Sequence, residues 1–256
     1  PDLISALLGW ETMRSWNIGF DLGMLNNRLT VSFDWFNRKT INMVGPAPEL
    51  PVTLGANVPK MNNADMQSTG FELDLGWRDR IKDFDYGVHL LLSDDRQKIL
   101  KYPNTTGKIN TWYVGKYNGD IWGFETIGIA KSQEEMDAHL ASLPNGGQDA
   151  LGVKWGAGDI MYRDLNGDGK ISDGATLNDP GDKKVIGNTS PRFRFGLDLN
   201  ASWKGIDVRL FFQGVAKRDA WLNDNMFWGA TGGIWQSACF TSHLDFFREE
   251  GDDFWS

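Results

Sequence analysis

Ser15-Trp16-Asn17-Ile18-Gly19-Phe20-Asp21-Leu22-Gly23-Met24 alternates without a break, with Trp16, Ile18, Phe20, Leu22 and Met24 on one face and Asn17, Gly19, Asp21 and Gly23 on the other. A period of two over ten residues is a strand with one apolar and one polar side. After the turn Leu25-Asn26-Asn27, Leu29, Val31, Phe33 and Trp35 alternate with Thr30, Ser32 and Asp34. The design recurs twice. Phe71, Leu73, Leu75 and Trp77 face a partner bearing Phe84, Tyr86, Val88, Leu90 and Leu92, while Glu72, Asp74, Gly76, Asp85, Gly87 and His89 fall on the other side. Phe193, Phe195, Leu197, Leu199, Ala201 and Trp203 precede a strand carrying Ile206, Val208, Leu210 and Phe212, with Arg192, Arg194, Asp198 and Arg209 among the polar positions. The pattern predicts six strands in three hairpins.

Two folds use such strands. In a soluble β-sandwich the apolar side is the core; in a membrane barrel it faces lipid and the polar side lines the lumen. The barrel is favoured on three counts. The strands run about 10 residues, the span of a tilted transmembrane strand rather than the 5–6 of a soluble one. Aromatics end the apolar rows, with Trp77, Phe84, Tyr86 and Trp203 at the short turns and Trp16 and Trp35 at the far end, as interfacial girdles do. The connections near Asn26-Asn27, Asp79–Asp83 and Lys204-Gly205 are tight, whereas Lys39–Ser68 and Asp95–Ser190 are long. Short periplasmic turns and long extracellular loops characterise outer-membrane barrels. Six strands with a lumen carrying Asp21, Asp34, Glu72, Asp74, Arg192, Arg194 and Arg209 do not close a barrel, so strands from outside the chain are expected to complete it.

Composition agrees. The 256 residues carry a formal charge of −8 with no basic cluster, against a nucleic-acid partner. The single cysteine, Cys239, excludes an internal disulfide and a cysteine-based zinc cluster. No run of about 18 apolar residues marks a transmembrane helix, which leaves a barrel open. The chain opens at Pro1 and is expected to be an internal piece of a longer protein.

Within the longest connection, Asp164, Asn166 and Asp168 place oxygen side chains at alternate positions and Gly169 follows to allow a sharp turn. That is the front half of a calcium loop, although the twelfth position of an EF-hand would be Ala175, not Glu. An Asx-rich turn without an ion has the same composition. Ser132-Gln133-Glu134-Glu135 is a capping-box pattern and predicts a short helix over Ser132–Leu143, ended by Pro144-Asn145-Gly146-Gly147. Trp112, Tyr113, Tyr117, Trp122 and Trp155 lie in the same connection, and Trp221, Phe227, Trp228 and Trp235 near the C-terminal end. Aromatic faces stack on sugars but more commonly pack loops or partners; Trp112, Tyr113, Trp122 and Trp155 are the candidate substrate contacts. His89, His139 and His243 stand apart, with no nucleophile motif beside them, and Gly167-Asp168-Gly169 is too acidic to cradle phosphate. No enzyme is expected.

The run from Gly158-Asp159-Ile160 through Asp164-Leu165-Asn166-Gly167-Asp168-Gly169-Lys170-Ile171, then Val185-Ile186-Gly187-Asn188, Pro191-Arg192-Phe193-Arg194-Phe195-Gly196 and Phe211-Phe212-Gln213-Gly214, resembles SusC/RagA-type TonB-dependent outer-membrane receptors. Asn63 through Leu73, Trp10-Glu11-Thr12 and Gly128-Ile129 are similar to the same family in the same order. The resemblance implies an all-β, antiparallel transmembrane barrel of 22 strands with an N-terminal plug, of which residues 1–256 form part, with a long extracellular loop over about 95–190. It implies an importer of glycan or peptide oligomers in the outer membrane of a Gram-negative bacterium, driven through TonB and capped by a SusD-like surface lipoprotein. It also implies a structural Ca²⁺ held in the loop 164–182 by the side chains of Asp164, Asn166 and Asp168 and the carbonyl of Lys170. The closing ligand would be Asp182, displaced by the insertion Gly174–Gly181, with Asp173 or Asp179 as substitutes. From the residues alone, the alternative is a secreted calcium-binding β-sandwich that binds carbohydrate or mediates adhesion.

Overall fold

The computed structural model describes residues 8–45, 60–222 and 241. The chain divides into two compact units. Of the described residues, one comprises 8–45, 60–106, 111–120 and 188–219; the other comprises 107–110, 121–187, 220–222 and 241.

The first unit is a single antiparallel sheet in which β1 (Thr12–Met24), β2 (Leu29–Gly45), β3 (Met61–Ile81), β4 (Phe84–Lys101), β9 (Arg192–Trp203) and β10 (Ile206–Lys217) stand side by side in that order. All three predicted hairpins form. Their turns show why they are tight. Leu25, Asn26 and Asn27 all adopt left-handed φ, and Lys204 (47°) with Gly205 (83°) gives the two-residue turn whose twist matches paired strands. The turn expected at Asp79–Asp83 contracts to Lys82-Asp83, because β3 runs on to Ile81.

Register confirms the two faces. One apolar row reads Leu22, Val31, Leu75, Leu90, Leu197 and Phe212 across the six strands. The sandwich alternative needs a second layer over that face, and none exists among the described residues. Phe20, Leu22, Leu210 and Phe212 are each about half exposed, and the nine buried apolar side chains lie elsewhere. Ten residues of β3 separate the Ile81–Phe84–Trp203 row from the Trp35–Phe71 row. At about 3.4 Å per residue and a tilt of about 40°, that belt is about 25 Å deep, the height of the apolar band on an outer-membrane barrel. The outer strands β1 and β10 each have one partner among the described residues. Open edges do not face lipid, so further strands complete the wall.

Strands outrun the sequence expectation at the long-connection end. β2 continues to Gly45, β3 begins at Met61 and β4 ends at Lys101, so the stretches expected as loop from Lys39 and from Asp95 begin as wall. There apolar residues stop alternating strictly with polar ones, as in Ile41-Asn42-Met43-Val44 and Lys98-Ile99-Leu100-Lys101, which removes the period-two hydrophobic signal while leaving the ladder intact. Residues Gly115 to Asn118 extend it further: the amides of Ile99 and Gly115 and the carbonyls of Lys116 and Ile99 pair at 2.8 Å, and Tyr117 bridges Lys98.

The second unit is built from two small sheets, β5 (Asp120–Phe124) with β8 (Lys183–Asn188) and β6 (Thr126–Ile129) with β7 (Ile160–Tyr162), and one helix, α1 (Gln133–Ala141). The helix starts where the capping box predicts: Ser132 Oγ accepts the Glu135 amide at 3.1 Å, and Glu135 Oε2 accepts that of Lys131 at 2.8 Å. Its buried Met136 packs with Ala130 and Met161, flanked by Leu140 and Trp155. Gln148, fully buried, ties these pieces together. Its Oε1 accepts the Tyr162 amide at 2.7 Å, its Nε2 donates to the Ile160 carbonyl at 3.1 Å, and His139 Nε2 lies 3.0 Å from Oε1. No sequence signal singled out Gln148.

Candidate functional site

In the second unit the strand β7 delivers the chain into the acidic loop. Asp164 Oδ1 accepts the Gly167 amide at 2.6 Å and Oδ2 that of Gly169 at 2.8 Å. Asn166 Oδ1 accepts the Asp168 amide at 2.9 Å, and Asp168 Oδ1 that of Lys170 at 3.2 Å. Gly167 (φ 74°) and Gly169 (φ 80°) supply the left-handed turns, and a Cβ on Gly169 would meet Asn145 Nδ2 at 2.9 Å. Asn145 in turn donates to the Asp168 carbonyl at 2.6 Å, so the stretch after α1 buttresses the loop. Burial pushes the Asp164 carboxyl up, but amides of Gly169, Gly167, Asp168 and Asn166 outweigh it and hold the group below the usual carboxylate range.

The insertion does not carry Asp182 away from the acidic loop. Asp173 and Gly181 form an antiparallel bridge, Gly181 turns at φ 60°, and the Asp182 amide donates to the Ser172 carbonyl at 3.0 Å, so Gly174–Gly181 is folded out as a side excursion. Asp182 is fully buried; its Oδ1 accepts the Leu165 amide at 2.7 Å and its Oδ2 the Ser172 amide at 2.6 Å. Carboxylate oxygens of Asp164, Asp168 and Asp182 lie within 4.8 Å of one another. Of the two substitutes, Asp173 is drawn off into an ion pair with Lys183, and Asp179 is exposed at the excursion's turn. Lys170 follows the acidic run in parallel bridge to Gly147.

The candidate aromatic residues are not one surface. Trp155 is half-buried against the helix cluster, donates Nε1–H to the Gly152 carbonyl at 3.0 Å and meets Tyr162 edge-on at 6.4 Å. That is loop packing. Trp122, on β5 of the same unit, is half-buried. Trp112 and Tyr113 belong to the first unit. Trp112 meets Tyr102 edge-on at 5.6 Å beside a cleft of about 540 Å³ shared with Val44 and Thr111, an open apolar recess of the kind that admits a ring. Tyr113 lies under the ammonium of Lys116 at 5.4 Å. Trp221 is exposed, while Phe227, Trp228 and Trp235 lie outside the described residues.

The polar face of the sheet carries a charged network. His89 Nε2 lies 2.6 Å from Asp74 Oδ1, Arg209 pairs with Asp198, and Arg194 reaches Asp95 at 2.5 Å. A depression of about 880 Å³ at the short-turn half is lined by Thr30, Gly76, His89, Asp198, Asn200 and Arg209. Gly76 and Gly87 keep it open, because a Cβ on either would run into Thr30 Oγ1 (2.5 Å) or Asn200 Oδ1 (2.7 Å). Arg192 is a departure. Expected in the lumen, it forms a two-pronged pair with Asp94, both contacts at 2.5 Å, on the outward face. Phe193 sits at φ 53°, which breaks the alternation just there.

The sequence profile described as "TonB dependent receptor-like, beta-barrel" matches residues 3–236. TonB-dependent receptor P3 of Formosa agariphila is 26% identical over 226 residues, 83% of this chain and 21% of that protein. TonB-dependent receptor SusC of Bacteroides thetaiotaomicron is 25% identical over 218 residues, 81% of this chain and 19% of SusC. The chain thus spans about a fifth of the length of the curated relatives it matches. Among solved structures, the RagAB peptide transporter superposes with a TM-score of 0.65 at 22% identity, covering 95% of this chain and 25% of that one. A profile match over most of the length, curated relatives that share it and a sheet with one lipid-depth apolar face agree: the chain is a stretch of barrel wall from a Gram-negative outer membrane and belongs to the TonB-dependent receptor-like β-barrel family.

Proposed function

We propose that the parent receptor imports glycan or peptide oligomers across the outer membrane, energised through TonB, under a SusD-like surface lipoprotein that acts as a lid. The observation that carries this reading is the charged, glycine-opened polar face, from Asp34 and Glu72 to Asp198 and Arg209, which suits a wide wet lumen rather than a packed one. The work is physical: cargo is captured from outside, held against polar walls and released as the channel opens, with no covalent step assigned to any residue. A strain lacking the parent gene, offered labelled oligosaccharides and oligopeptides, is expected to lose energy-dependent uptake of one of the two classes. Unchanged uptake of both would overturn the proposal. Pull-down of the parent from detergent is expected to bring a lipoprotein with it.

The loop 164–182 is proposed to hold a structural Ca²⁺. The donor set fits: Asp164, Asp168 and the buried Asp182 converge within 4.8 Å, and Asn166 adds a neutral oxygen. Three carboxylates so close repel one another, and none of them forms an ion pair with Lys, Arg or His among the described residues. Bound there, the ion would supply the missing positive charge; the residues themselves supply the fold, since their oxygens already gather the loop's amides. Thermal unfolding and limited proteolysis of the parent in calcium and in chelator are expected to differ at this loop. Identical cleavage in both would remove calcium from the reading.

A further inference from the structure

The apolar face ends, at the long-connection side, in a basic ledge. Following the outward positions up each strand past Trp16 and Trp35, register places Arg14 beside Lys39, Lys39 beside Gln67 and Gln67 beside Lys98 in one row. The row beneath reads Trp16, Asn37, Thr69 and Arg96, and the next Ile18, Trp35, Phe71 and Asp94. Arg14, Lys39, Arg96 and Lys98 are all exposed, and none forms an ion pair among the described residues. Asp94, the acid in the row directly below these cations, is already neutralised by Arg192. Tyr117 braces the ledge, with the Arg96 guanidinium 4.0 Å and the Lys98 ammonium 5.8 Å from its ring centre. Between Trp35, Phe71, Arg96 and Lys98 lies a cleft of about 520 Å³.

Height decides what this ledge meets. Successive outward positions are about 6.8 Å apart along a strand, or about 5 Å along the membrane normal at a tilt of about 40°. The Arg96 row therefore stands one step, and the Arg14–Lys39–Lys98 row two steps, above the last apolar row, at headgroup depth. Three strand spacings set the ledge's width at about 14 Å. The opposite rim differs in charge: there Arg28 is paired with Asp79 at 3.2 Å and Arg80 with Asp85 at 3.6 Å. Four uncompensated cations directly above an apolar, tryptophan-edged wall match a ligand with phosphates at one end and acyl chains at the other.

We propose that this ledge binds the phosphate groups of an anionic glycolipid of the outer leaflet, whose acyl chains run down the rows below Trp16 and Trp35. The outer leaflet is specified because the short turns lie at the other end of the sheet. The proposal rests on the barrel reading, and a failure of that reading shows separately, as loss of heat-shifted migration in the unmodified receptor. The test is native mass spectrometry of the full-length receptor in detergent, titrated with purified outer-membrane glycolipid carrying its phosphates or stripped of them by phosphatase. The phosphorylated form is expected to remain bound and the stripped form to be lost. Each cation near an anionic surface is worth roughly a fivefold change, so Arg14→Gln, Lys39→Gln, Arg96→Gln and Lys98→Gln together weaken binding on the order of several hundredfold. Should the fourfold variant not fold, the phosphatase comparison on the unmodified receptor decides alone. Equal retention of both lipid forms, or undiminished binding by a folded variant, overturns the proposal.

Discussion

An arginine at Leu75 tests whether the apolar face lies in lipid. Leu75 stands six residues above Ile81 on β3, between Val31 and Leu90. At about 3.4 Å per residue and a tilt of about 40°, it is about 16 Å up a belt of about 25 Å, close to the bilayer midplane. Arginine costs about 2–4 kcal/mol there and about 0–1 kcal/mol at the interfaces. Leu75→Arg should thus shift the folding equilibrium roughly 30- to 700-fold, while Ile81→Arg and Phe71→Arg, at the two rims, shift it little. Ser32→Arg, on the polar face opposite Asp74, is expected to stay within about 0.5 kcal/mol, as surface substitutions do. The assay is urea titration of the full-length receptor in phospholipid vesicles, scored by the fraction migrating as folded barrel on unheated gels. A penalty equal at all three depths, or Ser32→Arg costing as much as Leu75→Arg, would refute the assignment of faces.

Asp182→Ala removes the charged acceptor of the Leu165, Asn166 and Ser172 amides and should destabilise the loop by at least about 3 kcal/mol, read as faster hydrogen exchange at Leu165 and Ser172. Ser132→Ala deletes the helix cap and is expected to cost about 1 kcal/mol, confined to the first-turn amides of α1. Trp155→Ala should loosen the same cluster by less than the roughly 3–5 kcal/mol of a fully buried aromatic, seen as quicker proteolysis, with cargo affinity unchanged. The Glu125 carboxyl is held below the usual carboxylate range by a hydrogen bond from Lys184 and by the charges of Lys184 and Arg163. Its contribution is therefore present above the pKa of an unfolded glutamate and lost as pH falls through the depressed folded value. Glu125→Gln should flatten the acid limb of a stability-versus-pH curve, and an unchanged limb would count against the assignment.

The strands with alternating faces were legible because lipid on one side and water on the other force every second residue to change character. Trp16 to Met24 and Phe193 to Trp203 carry that signal in full. It fades past the apolar belt, where Met43-Val44 and Ile99-Leu100 put apolar residues side by side, which is why β2 beyond Lys39 and β4 beyond Asp95 read as loop although their ladders continue. The pairing of β4 with β9 was equally silent: His89 opposite Asp198 and Leu90 opposite Leu197 are joined by register, not by any local pattern. Arg192 was misplaced because one residue at positive φ, Phe193, undoes a parity rule that has no term for backbone handedness. In the loop, Asp164, Asn166 and Asp168 were visible from their spacing. Asp182 was named only through the family resemblance, with Asp173 and Asp179 as substitutes, because the bridge from Asp173 to Gly181 that returns it to the loop is a tertiary event.

The direct pairing of β4 with β9 has an evolutionary side. Because Lys101 ends one strand and Arg192 begins its neighbour, and Gly115 to Asn118 pair with β4 between them, the stretch from Ile121 to Gly187 is an excursion set apart from the strands of the seam. Closing a flexible loop twice as long costs only about 0.6 kcal/mol more. A lineage can therefore lengthen, replace or borrow the stretch from Ile121 to Gly187 without rebuilding the ladders of the seam. Such a receptor can diversify what it recognises outside while its wall stays under a separate and much slower kind of selection.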